Sequence, residues 1–201
     1  MEKVLAVIIS YLLGGILSGE VVALLSRVDL RKKGSGNPGA TNAYRILGPI
    51  SGILVLGGDV LKGILGAMIG LWLGGSQIAP WCGLSVIIGH NWPLQFKFKG
   101  GKGIAASLGT IIVLVPKTLL VLAPIWFLFL FIFGFVSLSS LAAAFALPFS
   151  CFLFYPQERS LLLYGVIVFI LAVYRHRANI QRIISGTENK VFAKKIKEEE
   201  K

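Results

Sequence analysis

The chain has 201 residues, 55% hydrophobic and only 14% charged, with a formal net charge of +11 and a mean hydropathy of +0.80. Apolar residues gathered into long runs exclude an ordinary soluble domain and indicate a multi-pass membrane protein. The positive charge does not call for a nucleic-acid partner, because the cations sit at the ends of the apolar runs, where topology and anionic lipid headgroups account for them.

The first predicted span covers about residues 4–25. No small-residue cleavage site follows it, so a retained span is expected in place of a signal peptide. The next loop contains Gly34–Asn42, GSGNPGATN, with Arg31, Lys32 and Lys33 before it and Arg45 after it. Gly34, Gly36 and Gly39, interleaved with Ser35 and Asn37, let the backbone fold tightly and present successive N–H groups in an electropositive setting. Thr41 or Asn42 is expected to cap a helix beginning near Ala43, so that the loop ends on a positive helix N-terminus, a place suited to phosphate. Taken alone, the loop also reads as a plain turn between spans.

The second span, about 49–73, carries Asp59 and Lys62 on one helical face. Charges at that depth are costly unless they face the bundle interior, and they read either as a functional pair or as a structural ion pair. An uncharged turn, Gly74 to Pro80, leads to a span at about 81–94, whose 14 residues reach only about 21 Å at 1.5 Å per residue. That is less than the roughly 30 Å of hydrocarbon, so this segment is expected to be short, tilted or re-entrant. His90 ends it. The following loop holds Gly100, Gly101, Lys102 and Gly103 just ahead of a helix, a second anion-competent turn that lacks the spacing of a nucleotide-binding loop. The span at about 104–116 is equally short, and the two could form a half-membrane hairpin.

Spans at about 119–136, 138–155 and 161–174 complete the set. Cys82 and Cys151 lie inside apolar runs and read as packing residues. A third basic cluster follows the last span, with Arg175, His176, Arg177, Asn179 and Arg182, then Glu188. Sixteen of the 20 Lys and Arg residues fall on one set of loops, which places the N-terminus outside and the C-terminus in the cytosol. The expected fold is a single all-α integral membrane domain over residues 1–201, a seven-transmembrane helix bundle with two short or re-entrant spans.

Absences narrow the chemistry. No His-x-x-x-x-Asp dyad or Gly-x-Ser-x-Gly elbow is present, and neither histidine has a partner at metal-ligand spacing, so no metal is expected. A site of this kind works by binding phosphate and orienting substrates.

Four motifs in order, GSGNPGATN with Arg45, GGDVLKG at Gly57–Gly63, GHNWPLQFKFKGGKGIA at Gly89–Ala105 and HRANIQRIISGTE at His176–Glu188, resemble the bacterial acyl-phosphate:glycerol-3-phosphate acyltransferase family, PlsY. The resemblance runs from the first span to the last, with one departure, Ala106-Ser107 where a threonine is expected. It implies an inner-membrane enzyme, its site facing the cytosol, that moves a fatty acyl group from acyl phosphate to the 1-hydroxyl of glycerol 3-phosphate, giving lysophosphatidate. By resemblance, Ser35, Arg45, His90, Lys102 and Asn179 are the candidate catalytic residues. The phosphate contacts are expected among Gly34, Ser35, Gly36, Asn37, Gly39, Thr41, Asn42, Arg45, Gly100, Gly101, Lys102, Gly103, His176, Arg177, Asn179 and Glu188. Asp59 and Lys62 are expected to be structural.

Either the departing phosphate takes the hydroxyl proton or His90 acts as a general base. The expected partners are glycerol 3-phosphate, acyl phosphate and membrane lipid, with no cofactor, and a monomer suffices for a one-sided site. The alternative reading is a membrane transporter for a small organic phosphate.

Overall fold

The structure, a computed structural model, describes residues 1–191. Lys194, Lys195, Lys197 and Lys201, which contribute to the expected orientation, lie outside the described residues. Among those described, the regular elements are all helical: α1 (Glu2–Gly14), α2 (Ser18–Leu25), α3 (Ala40–Leu47), α4 (Pro49–Asn91), α5 (Ile104–Leu114), α6 (Leu119–Phe133), α7 (Val136–Phe154), α8 (Arg159–Arg175) and α9 (Arg177–Ile184), with short 3-10 turns at Leu94–Phe96 and Pro116–Thr118.

Among the described residues, four helical stretches are long and apolar enough to cross a membrane: Glu2–Leu25, Pro49–Phe96, Pro116–Phe133 and Val136–Phe154. A fifth arises if α8 and α9, bent by 58° at His176, count as one.

The first span is broken between Gly14 and Ser18, and the reason lies in α4. Lys62 donates from its ammonium to the carbonyls of Gly14 at 2.9 Å and Ile16 at 2.7 Å, and Asp59 balances its charge at 3.0 Å. Carbonyls freed by the helix break thus become ligands for a buried cation. Both charged side chains are almost wholly buried, at 2% and 5% exposure.

The expected turn from Gly74 to Pro80 reduces to one residue. Gly75 alone leaves helical geometry, at φ 65° and ψ −166°, a conformation closed to most L-residues. It reverses the chain, so that Gly70 packs on Ala79 and Cys82, and Gly66 on Val86. α4 is therefore a hairpin of two arms. The segment expected to begin at Trp81 starts directly after Gly75, making the second arm longer than the sequence pattern suggests. α5 keeps the expected shortness, with 11 residues. It meets the first arm of α4 where Gly63 and Gly109 face each other, and a Cβ on either would overlap a backbone carbonyl across the contact. Close backbone approach of this kind replaces the hydrophobic effect as the source of cohesion in lipid.

The main core joins Val86 and Ile87 of α4, Ile111 of α5, Leu122 of α6, Leu147 of α7 and Tyr164 of α8. Cys82 and Cys151 are buried free thiols. Phe131, Ile132, Phe152, Leu153 and Ile170 stand on the outer surface, an apolar exterior suited to lipid.

Candidate active site

Asn42 organises the first loop. Its side-chain carbonyl accepts the Ser35 N–H at 2.9 Å, and its amide donates to the carbonyls of Leu30 and Lys33, both at 3.1 Å. Gly34, at φ 59°, has no room for a Cβ beside Asn42. Asn37 folds the next turn by accepting the Gly39 N–H at 2.9 Å. α3 then begins at Ala40 with Gly39 as its cap, earlier than the expected Ala43, and no side chain caps it. Thr41 and Asn42 already lie inside its first turn, and the Asn42 amide is consumed by the loop.

The second loop lies against the end of α4. Gly101 donates its N–H to the His90 carbonyl at 3.0 Å, and Gly103, at φ 82°, opens α5. Arg175 grips this loop from α8: Nε donates to the Gly101 carbonyl at 2.9 Å and Nη2 to the Gly100 carbonyl at 3.0 Å. The same guanidinium lies 5.2 Å from the centre of the Trp92 ring. Two donors on consecutive carbonyls, backed by a cation–π contact, fix the loop in one orientation.

The third wall is α9 and the turn after it. Lys102 donates from Nζ to Asn179 Oδ1 at 2.5 Å, and Asn179 Nδ2 donates to Glu188 Oε1 at 2.6 Å. Glu188 also receives Ser137 Oγ at 2.8 Å and Arg182 Nε at 2.7 Å. A carboxylate only accepts and an ammonium only donates, so together they fix which way the Asn179 amide points.

Between the three walls lies a cavity of about 200 Å³, lined by Ser35, Gly36 and Asn37, by Gly100 and Lys102, and by Arg175, Arg177, Ala178, Asn179 and Arg182. Among the described residues, four cations and no carboxylate line it. Burial pushes the Lys102 ammonium down to about 8, Glu188 opposes that, and Arg182, Arg45 and Arg175 add to it. Burial alone would raise the Glu188 carboxyl, but hydrogen bonds from Asn179, Ser137 and Arg182 and the charge of Arg182 hold it below its ordinary value. The cavity is thus strongly electropositive, and charge of that sign attracts anions.

The other sequence candidates stand around this cavity. Gly34, Gly39 and Asn42 shape the first loop from within, Thr41 sits in the first turn of α3, and Gly101 and Gly103 shape the second loop. Arg45 donates to the Asn189 carbonyl at 3.2 Å, near enough to Lys102 to act on its charge. His176 is buried at the α8–α9 bend, its Nδ1 2.8 Å from the Ala172 carbonyl. Glu188 stands behind Asn179. His90 is buried outside the cavity lining, its Nδ1 3.6 Å from Asp59 and its Nε2 against Gly101.

Arg175, Arg182 and Ser137 were not singled out from the sequence as site residues. Arg175, Asn179 and Arg182 at i, i+4 and i+7 carried a helical-face signal; Ser137, at the start of an apolar helix, carried none.

These features define a class: a helical membrane protein with a cationic cavity enclosed by two glycine-rich loops and the α8–α9 end of the bundle. The family described as Glycerol-3-phosphate acyltransferase matches residues 4–186. The glycerol-3-phosphate acyltransferase of Alkaliphilus metalliredigens is 39% identical, with 96% of this chain and 98% of that one covered. Two crystal structures of PlsY, an integral membrane glycerol 3-phosphate acyltransferase, are similar throughout. Its glycerol 3-phosphate form has a TM-score of 0.89 at 38% identity, covering 94% of this chain and 96% of that one. Its lysophosphatidic acid form has a TM-score of 0.87 at 37% identity, covering 94% and 95%.

The chain therefore belongs to the glycerol-3-phosphate acyltransferase family, PlsY, and is an integral membrane acyltransferase. The transporter alternative finds no support among these relatives.

Proposed function

We propose that this acyltransferase moves a fatty acyl group from acyl phosphate to the 1-hydroxyl of glycerol 3-phosphate, releasing lysophosphatidate and phosphate. The observation that carries this reading is the cavity where Ser35, Lys102, Arg175 and Asn179 converge. It offers four cations and the Ser35 hydroxyl to phosphate oxygens, while the Ser35 and Gly36 N–H groups are held within the loop by Asn42 and Lys33.

Acyl phosphate is already an activated anhydride. Holding the hydroxyl against its carbonyl, with Lys102 neutralising the departing phosphate, supplies the rate by proximity and electrostatics. On this reading Lys102, Ser35 and Asn179 touch phosphate oxygens, Arg45 and Arg177 add charge at the rim, and His176 and Glu188 set the positions of α9 and Asn179. The leaving phosphate accepts the hydroxyl proton, because His90 lies outside the cavity wall, packed against Gly101. The acyl chain runs along an apolar cleft of about 540 Å³ between α6 and α7, bordered by Phe129, Leu138, Ala142, Phe145 and Phe149. The Leu138 end of that cleft adjoins Ser137, whose hydroxyl reaches Glu188.

The proposed topology has seven crossings: the broken α1–α2 pair, the two arms of α4, the short α5, and α6, α7 and α8. It is supported by the convergence of the loops before α4, before α5 and after α8 on one cavity. Lys117 and Tyr155, joined at 3.2 Å, mark the opposite end of the bundle. The basic loops support an orientation with the N-terminus outside and the site facing the cytosol, and the family reading assigns the protein to a bacterial inner membrane. The cavity is complete within one chain, and a monomer suffices.

The test is formation of labelled lysophosphatidate by the purified protein in detergent from labelled glycerol 3-phosphate, with palmitoyl phosphate and palmitoyl-CoA supplied in parallel. Product from the phosphate donor alone is expected. Product from palmitoyl-CoA alone would overturn the donor, and product from neither would overturn the reaction.

A further inference from the structure

Most serines of α7 satisfy themselves. Ser139 and Ser140 return their hydroxyls to the carbonyls of Phe135 and Val136, at 2.9 and 2.8 Å, the usual resort of a hydroxyl in an apolar helix. Ser137 does not. It is buried at the start of α7 and donates instead to Glu188 Oε1, 51 residues away in sequence. The other side chains that hydrogen-bond Glu188, Asn179 and Arg182, belong to its own local segment.

The backbone beside this contact is tied down as well. Val191 donates its N–H to the Gly134 carbonyl at 2.9 Å, and the Lys190 ammonium lies 5.6 Å from the centre of the Phe135 ring. Residues 188–191 thus form a strap fastened to the α6–α7 turn. Its inner end, Glu188, fixes the Asn179 amide that faces Lys102.

We propose that Ser137 is a positioning residue for the acyl-transfer site, acting through Glu188 and Asn179 on Lys102. This rests on the reaction proposed above. Through Ser137, the helix that borders the apolar cleft sets where the cationic cavity holds its ammonium, so the two halves of the substrate site share one reference point. Lys102 never touches Ser137. The coupling passes through one carboxylate oxygen that takes two donors and one amide that cannot flip without facing ammonium with its own N–H groups.

The test compares Ser137→Ala and Ser137→Thr with the wild-type protein. Ser137→Ala should lower kcat/KM for glycerol 3-phosphate about tenfold, and Ser137→Thr, which keeps the hydroxyl, should restore it to within about threefold. The pH profile separates positioning from general weakening. Lys102 is faced by Glu188 on one side and by Arg182, Arg45, Arg175 and His176 on the others. A loosened Glu188 supports its charge less, so the alkaline limb of the Ser137→Ala profile should move to lower pH, by about half a unit, while that of Ser137→Thr stays in place.

Amide hydrogen exchange reads the strap without chemistry. The Val191 amide should exchange faster in Ser137→Ala and as in wild type in Ser137→Thr. Unchanged exchange in Ser137→Ala would overturn the anchoring whatever the reaction proves to be. Faster exchange with kinetics and pH profile unchanged would overturn the positioning role. A wild-type protein that makes no lysophosphatidate, yet whose strap exchange responds to Ser137→Ala, would sink the proposed reaction and with it the positioning role, leaving the anchoring alone.

Discussion

The Lys102 ammonium meets the Asn179 side-chain carbonyl across 77 residues of sequence, and this one contact closes the second loop onto the third. The Lys102 ammonium is pushed down to about 8 by burial and by Arg182, Arg45 and Arg175, with Glu188 supporting its charge. It is charged below that pH and neutral above it. Affinity for glycerol 3-phosphate should therefore fall between pH 7 and pH 9 in the wild-type protein. In Lys102→Arg, whose guanidinium stays charged, it should be level. Calorimetric titration at pH 7, 8 and 9 checks this, and a level wild-type curve would remove Lys102 from the phosphate site. Lys102→Ala should lose several kcal/mol of transition-state stabilisation, read as kcat/KM.

Arg175 acts on the backbone of the Gly100–Gly103 loop. Arg175→Lys keeps the charge but cannot serve both carbonyls and the Trp92 face at once. A loss of about 1–3 kcal/mol is expected, as for charge-assisted hydrogen bonds, appearing mainly as a raised KM for glycerol 3-phosphate. Kinetics equal to wild type would show that the loop holds its shape without the fork.

The buried Asp59–Lys62 pair should behave asymmetrically. Asp59→Ala strands an ammonium among helices and should cost about 3–5 kcal/mol, whereas removing both charges in Asp59→Leu/Lys62→Met should cost less. Thermal unfolding in detergent distinguishes the two. A double variant less stable than Asp59→Ala would mean that the Gly14 and Ile16 carbonyls depend on Lys62 more than the pair depends on itself.

His90 gives a sharp chemical test. If the leaving phosphate takes the hydroxyl proton, His90→Gln should retain turnover within about tenfold, the scale of a displaced loop and well short of a lost general base. A variant that still binds glycerol 3-phosphate but has lost turnover a thousandfold would restore His90 as the base.

The α6–α7 cleft should measure acyl chains. Ala142→Phe fills it near Phe145, so turnover of palmitoyl phosphate should fall several-fold relative to decanoyl phosphate. An unchanged ratio would place the acyl chain elsewhere.

Apolar runs and glycine-rich loops make the helical membrane fold and the three anion-competent loops readable from sequence, because hydrophobic patterning and backbone permissiveness are local properties. Gly75 was hidden in a wider turn, since nothing in Gly74–Pro80 says which residue takes a positive φ. Asn42 suggested a helix cap by its type, but a loop folding back seven residues offered it better partners. Arg175 and Arg182 share a helical face with Asn179 that the spacing of the basic cluster carries, whereas Ser137 acquires its role only from what faces it in space and is indistinguishable in sequence from Ser139 and Ser140.

The Lys62 ammonium sits on the two carbonyls that the interrupted first span leaves open, and this bears on how the chain is assembled. An arm carrying Asp59 and Lys62 is poorly tolerated alone in hydrocarbon, and α1 alone would expose the Gly14 and Ile16 carbonyls to it. Each removes the other's liability. Insertion of α1 with the first arm of α4 as a pair is thus favoured over insertion one at a time.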